Sequence, residues 1–424
     1  MRPKIFIKKV KTVTFLMVLF ATLTANAQTF NISGKVYDEN KKPLLGASVI
    51  VKNLKKGTST DIDGKFLFTV SSGNHEIEVR FIGYKTSSQK VVVNKANKQV
   101  NFYLQTDANV LEEVLVAAVR VKADAPVTHS NLTKKEIAKR NLGQDIPILM
   151  NYLPSVVTTT DAGAGVGYTG IRVRGSDATR VNITINGIPY NDSESQGTYW
   201  VNMPDFASSA QSIQLQRGVG TSTNGSGAFG ASINVLTDAN YDEAFGEVSN
   251  SFGSFNTKKH TVKAGTGLLN DHIKFTGRLS KITSDGYVDR ASSDLKSYFL
   301  QGTYIDDNTL IKAIAFGGHQ ITYQSWNGVD ANQLSTNRTF NSAGALYDSS
   351  WNVTGYYDNE VDNYKQDHYQ LHWNQKYSSQ LSSNIALHYT KGRGFYEQYK
   401  QEADFSSYNL SPITLGSTII NSTD

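Results

Sequence analysis

Two glycine strings, a pair of histidines and one acidic turn are the places where this sequence could hold chemistry. Gly165-Val-Gly167-Tyr-Thr-Gly170 and Gly225-Ser-Gly227-Ala-Phe-Gly230 both have the spacing of a dinucleotide cradle. Such a cradle needs a strand before it and a helix after it, so that a helix N-terminus meets the pyrophosphate. Each string here runs instead into a strand-like stretch, 171–174 and 232–236. The glycines are therefore expected to serve tight, close-packed turns. His368 and His372 would share one face of a strand about 13 Å apart, too far to hold one ion. They suit a polar interior. Asp61-Ile-Asp63-Gly64 opens like a calcium loop, but Lys65-Phe66-Leu67 follow, without the further oxygen ligands or the closing Glu that such a loop needs. It reads as a β-turn. There is no G-x-S-x-G nucleophile elbow. There is also no cysteine, which excludes disulfides and thiolate metal sites. No catalytic residue, metal site or cofactor is expected.

The elements that carry these residues begin with an address. Arg2, Lys4, Lys8, Lys9 and Lys11 precede an uncharged stretch, 12–25, and Ala25-Asn26-Ala27 offers a signal-peptidase site before Gln28. The apolar core, 13–23, is shorter than the roughly 20 residues of a membrane span. Residues 1–27 are read as a signal peptide, the alternative being an uncleaved anchor helix. The formal charge of +5 resides wholly in this segment, and the rest of the chain balances 37 basic against 37 acidic residues. The basic hint of nucleic-acid binding therefore disappears.

Residues 28–105 alternate short strands and turns: 31–37, 47–52, 65–70, 75–82, 89–93 and 99–104. That spacing predicts an all-β sandwich. Residues 106–122 are a linker holding an extended stretch from Leu111 to Ala118. It could stay disordered, pack on its own domain or add a strand to a partner's sheet. Residues 123–240 are mixed α/β. A helix is expected over 133–140, with Thr133 and Glu136 as a capping box. A second apolar turn at 146–153 stops at Pro154. Strands follow at 155–159, 170–174, 182–185, 212–217 and 232–236.

From 241 to 424 the period becomes two. Ile273, Phe275, Gly277 and Leu279 oppose Lys274, Thr276, Arg278 and Ser280, and Tyr369, Leu371 and Trp373 oppose His368, Gln370, His372 and Asn374. About seven strands of this kind, near 246–253, 257–267, 272–281, 296–305, 310–320, 366–376 and 381–392, suit a transmembrane β-barrel with a polar lumen. A half-solvated sandwich sheet shows the same period. The signal peptide and the Tyr and Trp near strand ends point to the membrane. The fold class expected is mainly β: a β-sandwich, an α/β domain and the first strands of an incomplete transmembrane β-barrel. A long connection, 321–365, is expected to be external.

Two resemblances add to this reading. Gly34-Lys-Val-Tyr-Asp, Pro43-Leu-Leu-Gly-Ala-Ser-Val, Thr60-Asp-Ile-Asp-Gly-Lys-Phe and Phe81-Ile-Gly-Tyr resemble the carboxypeptidase-regulatory-like β-sandwich, which has no catalytic residues of its own. Gly170-Ile-Arg172-Val-Arg174-Gly175, Ile185-Asn-Gly-Ile-Pro-Tyr-Asn-Asp192, Ile213-Gln-Leu-Gln-Arg217-Gly218, Gly225-Ser-Gly227-Ala-Phe-Gly230 and Ile233-Asn-Val resemble the plug domain of TonB-dependent outer-membrane receptors. Beside that plug, Leu111, Glu112, Glu113, Val114, Leu115 and Val116 look like a TonB box. A sandwich ahead of the box resembles the arrangement common in Bacteroidetes receptors.

The resemblance implies a receptor of the cell outer membrane with a periplasmic N-terminal domain. Its partners would be the TonB C-terminal domain of the TonB–ExbB–ExbD system, outer-membrane lipid and a small chelated ligand, with no nucleic acid and no cofactor. It also implies a barrel of about 22 strands. Residues 241–424 would supply about a third of it, unable to insert or transport alone. The ligand expected first is an iron chelate, a siderophore or ferric citrate. A SusC-like glycan or peptide importer is the alternative, and a non-transporting adhesin is an alternative of another class. An enzyme with an accessory sandwich lacks supporting residues. Candidate ligand contacts are Tyr168, Asp192, Glu194, Gln196, Tyr199, Trp200 and Trp326, which offer aromatic surface and polar groups at the plug apices and loops. Arg172, Arg174 and Arg217 are expected to be structural, pairing with acidic groups between plug and barrel.

Overall fold

The computed structural model describes residues 29–423 except 40, 55, 82–83, 106–119, 122–126, 220–228, 238–242, 271, 307 and 379. The expected signal peptide, the segment from Leu111 to Val116, and Gly225 and Gly227 lie outside the described residues. Two compact units divide the chain, residues 1–110 and 111–424.

The first unit is a two-sheet sandwich. Its strands are β1 (Thr29–Tyr37), β2 (Ser48–Val51), β3 (Lys56–Ser59), β4 (Lys65–Ser71), β5 (Gly73–Arg80), β6 (Ser87–Val93), β7 (Lys98–Gln99) and β8 (Phe102–Tyr103). One sheet runs β4-β1-β7 with β8 also on β1, and the other runs β3-β2-β5-β6. Period-two burial is clearest on β4, where Phe66, Phe68 and Val70 are buried between exposed neighbours. They meet Ile32, Val36, Val49, Val51, Ile77 and Val79 in one apolar core. The acidic turn is a β-turn as expected. Asp61 Oδ1 accepts the Asp63 and Lys65 amides at 3.0 and 2.8 Å. Gly64 has φ +72°, and a Cβ there would meet the Val36 carbonyl at 2.6 Å. β3 was not foreseen, because Lys-Gly-Thr-Ser carries no apolar alternation.

In the second unit a small α/β domain precedes a large antiparallel sheet. The domain comprises β9 (His129–Thr133), α1 (Lys134–Arg140), α2 (Ile146–Leu149), β10 (Val156–Thr160), β11 (Thr169–Val173), β12 (Val181–Ile185), β13 (Ile188–Pro189), β14 (Ala210–Arg217) and β15 (Ala231–Thr237). Five strands form a mixed sheet in the order β13-β12-β15-β14-β9. β12 and β15 pair in parallel, and every residue of both is buried. The capping box forms at Thr133 and Glu136. The first glycine string leads into β11, as expected, with Gly165 and Gly167 at φ +73° and +93°.

The seven long strands are β16 (Phe245–Phe252), β17 (Lys258–Gly265), β18 (Ile273–Ser284), β19 (Ser293–Ile305), β20 (Thr309–Tyr323), β21 (Val361–Lys376) and β22 (Ser382–Tyr396). They pair in sequence order, each antiparallel to the next, and the described sheet stays open. Residues 324–360 join β20 to β21, a shorter connection than expected because both strands run further. One sheet face carries Val262, Leu279, Leu300, Leu371 and Leu387, all exposed. The other covers the α/β domain and is less polar than expected: Phe299, Ile314 and Phe316 join that domain's core. Packing against the enclosed domain supplies the apolar partners that a water-filled lumen would lack. Among the described residues no helix is long and apolar enough to cross a membrane.

Candidate functional site

A cavity of about 770 Å³ opens between the loop after β13 and the inner face of β20–β22. The loop contributes Tyr190, Asn191, Asp192, Glu194 and Tyr199; the strands contribute Gln320, Asp362, Tyr364, Gln366, His368 and His388. Alternation explains the strand set, since residues 362, 364, 366 and 368 follow one another along one face of β21.

Four of the seven candidate contacts line this cavity: Tyr168, Asp192, Glu194 and Tyr199. The Tyr168 hydroxyl donates to Asp362 Oδ2 and accepts from Gln320 Nε2 at 3.3 Å. Burial, reinforced by the Asp362 carboxylate, raises the Tyr168 phenol above its ordinary range. Trp326 stands edge-on to the Tyr168 ring, centroids 5.5 Å apart, and is 42% exposed. Asp192 organises its own loop. Its Oδ1 accepts the Ser195 amide at 2.8 Å and the Glu194 amide at 3.0 Å, and the Ser195 bond holds the carboxyl below its usual range. Gln196 adopts φ +60° and donates to the Ser193 carbonyl at 2.9 Å, outside the cavity lining. Trp200, grouped with the loop's ligand contacts from its sequence position, is 2% exposed and belongs to the domain core. The turn at Trp200–Asn202 rotates it inward.

Residues missed from the sequence are as telling. Tyr190 packs on His368, centroids 5.0 Å apart. Asp362 and Tyr364 were assigned to a loop because the β21 alternation was read only from 366. The phenol of Tyr190 is raised, chiefly by burial.

A second constellation joins the domain to the sheet. Asp205, in the left-handed region at φ +52°, sends its carboxylate between β17 and β18. Lys259 Nζ lies 2.7 Å from Oδ1 and Arg278 Nη1 lies 3.3 Å from Oδ2. Thr261 and Ser280 donate to Oδ2 at 2.7 and 2.8 Å, and Asn141 and Ser208 donate to Oδ1 at 3.1 and 2.6 Å. Burial opposes the charge, yet Arg278 and Lys259 hold the carboxyl well below its ordinary range. The polarity is the reverse of the expected one: acid on the domain, bases on the sheet. Arg217 bonds Ser130 Oγ at 2.8 Å and lies beside Arg174. A signal was available, because Lys259, Lys263 and Arg278 alternate onto the inner face and demand an acid there.

No group of His, Asp and Glu suited to a metal ion occurs among the described residues.

Comparison with known proteins fits this architecture. Residues 32–116 match the CarboxypepD_reg-like domain, a match that runs past the expected sandwich limit at 105. Residues 121–232 match the TonB-dependent Receptor Plug Domain. TonB-dependent receptor SusC of Bacteroides thetaiotaomicron is 29% identical over 185 residues, covering 42% of this chain and 18% of that protein. TonB-dependent receptor P3 of Formosa agariphila is 34% identical over 110 residues, 26% of this chain and 11% of its own. The matched stretches thus span less than a fifth of these relatives' length. The unliganded ferric citrate transporter FecA shares the fold at 16% identity and a TM-score of 0.50, covering 65% of this chain and 42% of that one. With a matching regulatory-like sandwich, a matching plug and an open antiparallel sheet around that plug, the chain belongs to the TonB-dependent outer-membrane receptors.

Proposed function

We propose that the chain serves energised uptake across the outer membrane, with ligand captured in the cavity between the plug loop and β20–β22. The TonB C-terminal domain would then pair by strand addition with residues 111–116 and draw on that contact to displace the plug. Within this reading, the ligand is neutral or cationic and rich in hydroxyl groups, as an oligosaccharide is. The observation that carries it is the lining. Asp192, Glu194 and Asp362 supply carboxylates, several tyrosines supply flat aromatic surface, and among the described residues no Lys or Arg lines the cavity. A polyanion such as ferric citrate would meet like charge there. The second reading is an iron chelate with aromatic arms, favoured by the Tyr168–Trp326 edge at the plug apex.

The test is titration of the full-length receptor with neutral oligosaccharides, ferric citrate and a ferric catecholate, followed by uptake in cells. Saturable oligosaccharide binding that Asp362→Ala weakens supports the first reading. Saturable binding of ferric citrate alone would overturn it.

A further inference from the structure

Six consecutive strands, β17–β22, each place a basic residue in one transverse row on the outward face of the seven-stranded sheet. Register places His260 opposite Lys281, Lys281 opposite Lys296, Lys296 opposite His319, His319 opposite Lys365, and Lys365 opposite Arg393. Directly opposed residues share a face, so the row is continuous across β17–β22.

The row sits at a boundary. The next outward row toward the sheet's middle runs from Val248, Val262 and Leu279, exposed by 69, 55 and 66%, through Tyr298 to the opposed pair Asp367 and Lys391. Apolar side chains continue to Tyr304 and Trp373 near the opposite edge. Lys365 and Trp373 are eight residues apart on β21, about 27 Å of strand. Tilted as barrel strands are, that is about 20 Å of height, close to the apolar band of a membrane barrel. The belt lies at the end from which residues 324–360 depart. Long connections mark the external side.

Like charges directly opposed across strands are unfavourable unless an anion lies between them. Asp294 meets Lys281 at 3.3 Å and Asp367 meets Lys365 at 3.7 Å. Lys296 and Arg393 have no acidic partner among the described residues. The surface is thus undersupplied with negative charge where lipid head groups would pack, while the leucines below offer seats for acyl chains.

We infer that this belt binds the phosphorylated head groups of outer-leaflet lipid. The inference rests on the sheet facing lipid, as the outer-membrane reading requires, but on neither ligand reading. The experiment uses the full-length receptor in mixed nanodiscs of phosphatidylglycerol and phosphatidylcholine, with anionic lipid retained after detergent exchange counted as phosphorus. Combining Lys281→Gln, Lys296→Gln, Lys365→Gln and Arg393→Gln should cut retention at least tenfold, since each basic residue near an anionic surface is worth about fivefold. Exchanging the three lysines for arginine instead should preserve retention, which separates loss of charge from misfolding. Excess inorganic phosphate should not displace the lipid. Equal retention by wild type and the glutamine variant would overturn the inference. Separately, a full-length receptor carrying Leu279→Cys as its one cysteine should react at that position with a membrane-soluble maleimide and not a water-soluble one. Reaction with the water-soluble reagent would defeat the lipid-facing premise itself.

Discussion

The Asp205 carboxylate lies 2.7 Å from the Lys259 ammonium, with the two side chains 0 and 1% exposed. A charge so enclosed is tolerable only because each remaining acceptor position is also used. Removing the acid strands two cations, Lys259 and Arg278. Asp205→Asn should therefore destabilise plug seating by about 3–5 kcal/mol. Measured by urea denaturation of the full-length receptor, Asp205→Asn combined with Lys259→Met should recover much of that loss. If the double variant were as unstable as the sum of the single ones, the two residues would not be coupled.

Asp145 presents the opposite case. It is 4% exposed, its Oδ2 accepts from Thr169 at 2.9 Å, and its Oδ1 has no hydrogen-bond partner among the described residues. Burial is the main cause that pushes its carboxyl up to about 7, with Thr169 opposing and Asp205 adding. A raised acid favours the fold while protonated. Its contribution is full below about pH 4, the unfolded value, and is lost as pH rises through about 7. Asp205 has the reverse sign: its contribution is present above the unfolded value and lost only in stronger acid. Unfolding midpoints between pH 4 and 8 should fall with rising pH in wild type more steeply than in Asp145→Asn. Superimposable pH profiles would show that Asp145 does not titrate in this window.

Gly318 sets how closely the sheet can approach the plug. A Cβ there would meet the Asn202 carbonyl oxygen at 2.4 Å and Pro204 Cδ at 2.6 Å. Both are relatively fixed, so relief requires backbone movement. Gly318→Ala should cost about 1–3 kcal/mol and loosen the Asp205 latch next door. Proteolysis of the plug in the intact receptor should accelerate, whereas Gly355→Ala, whose Cβ would first meet Leu346 at 3.7 Å, should leave it unchanged.

These cases show what the sequence could and could not convey. Alternation in β16–β22 was readable because a sheet with one apolar and one covered face imposes period two. The helix at Lys134–Arg140 was readable from its capping box. By contrast β9 and β3 are polar strands held by their neighbours' hydrogen bonds, which no local pattern reports. Trp200 and Tyr199 are adjacent, yet one is core and the other 46% exposed. Their sorting depends on a 3₁₀ turn. Asp205 pairs with residues more than fifty positions away, and only the inward-facing lysines hinted at it.

Tyr190 and Tyr199 line the cavity from the plug side, and under the proposed function each would offer a ring to a ligand held there. Truncating a ring that stacks on a ligand typically costs about 1–3 kcal/mol. Tyr190→Ala should weaken binding about tenfold or more in calorimetric titration, while His368 stays stacked on Phe316. Trp200→Ala should instead lower stability by about 3–5 kcal/mol. A binding loss in Trp200→Ala without a stability loss would return that residue to the ligand surface.

If residues 111–118 are the TonB contact, ligand capture and energised release should be separable. The described lining of the cavity comes from the plug and β20–β22. Strand addition by TonB would supply work only after ligand has bound. Deleting residues 111–118 from the full-length receptor should therefore leave ligand affinity within about twofold, a change under 0.5 kcal/mol, and abolish uptake in energised cells. Replacing Val114 by Pro should act nearly as strongly, since proline removes a ladder donor from an added strand. Uptake that survives both changes would mean that the motor engages the protein elsewhere, and the segment would revert to a linker.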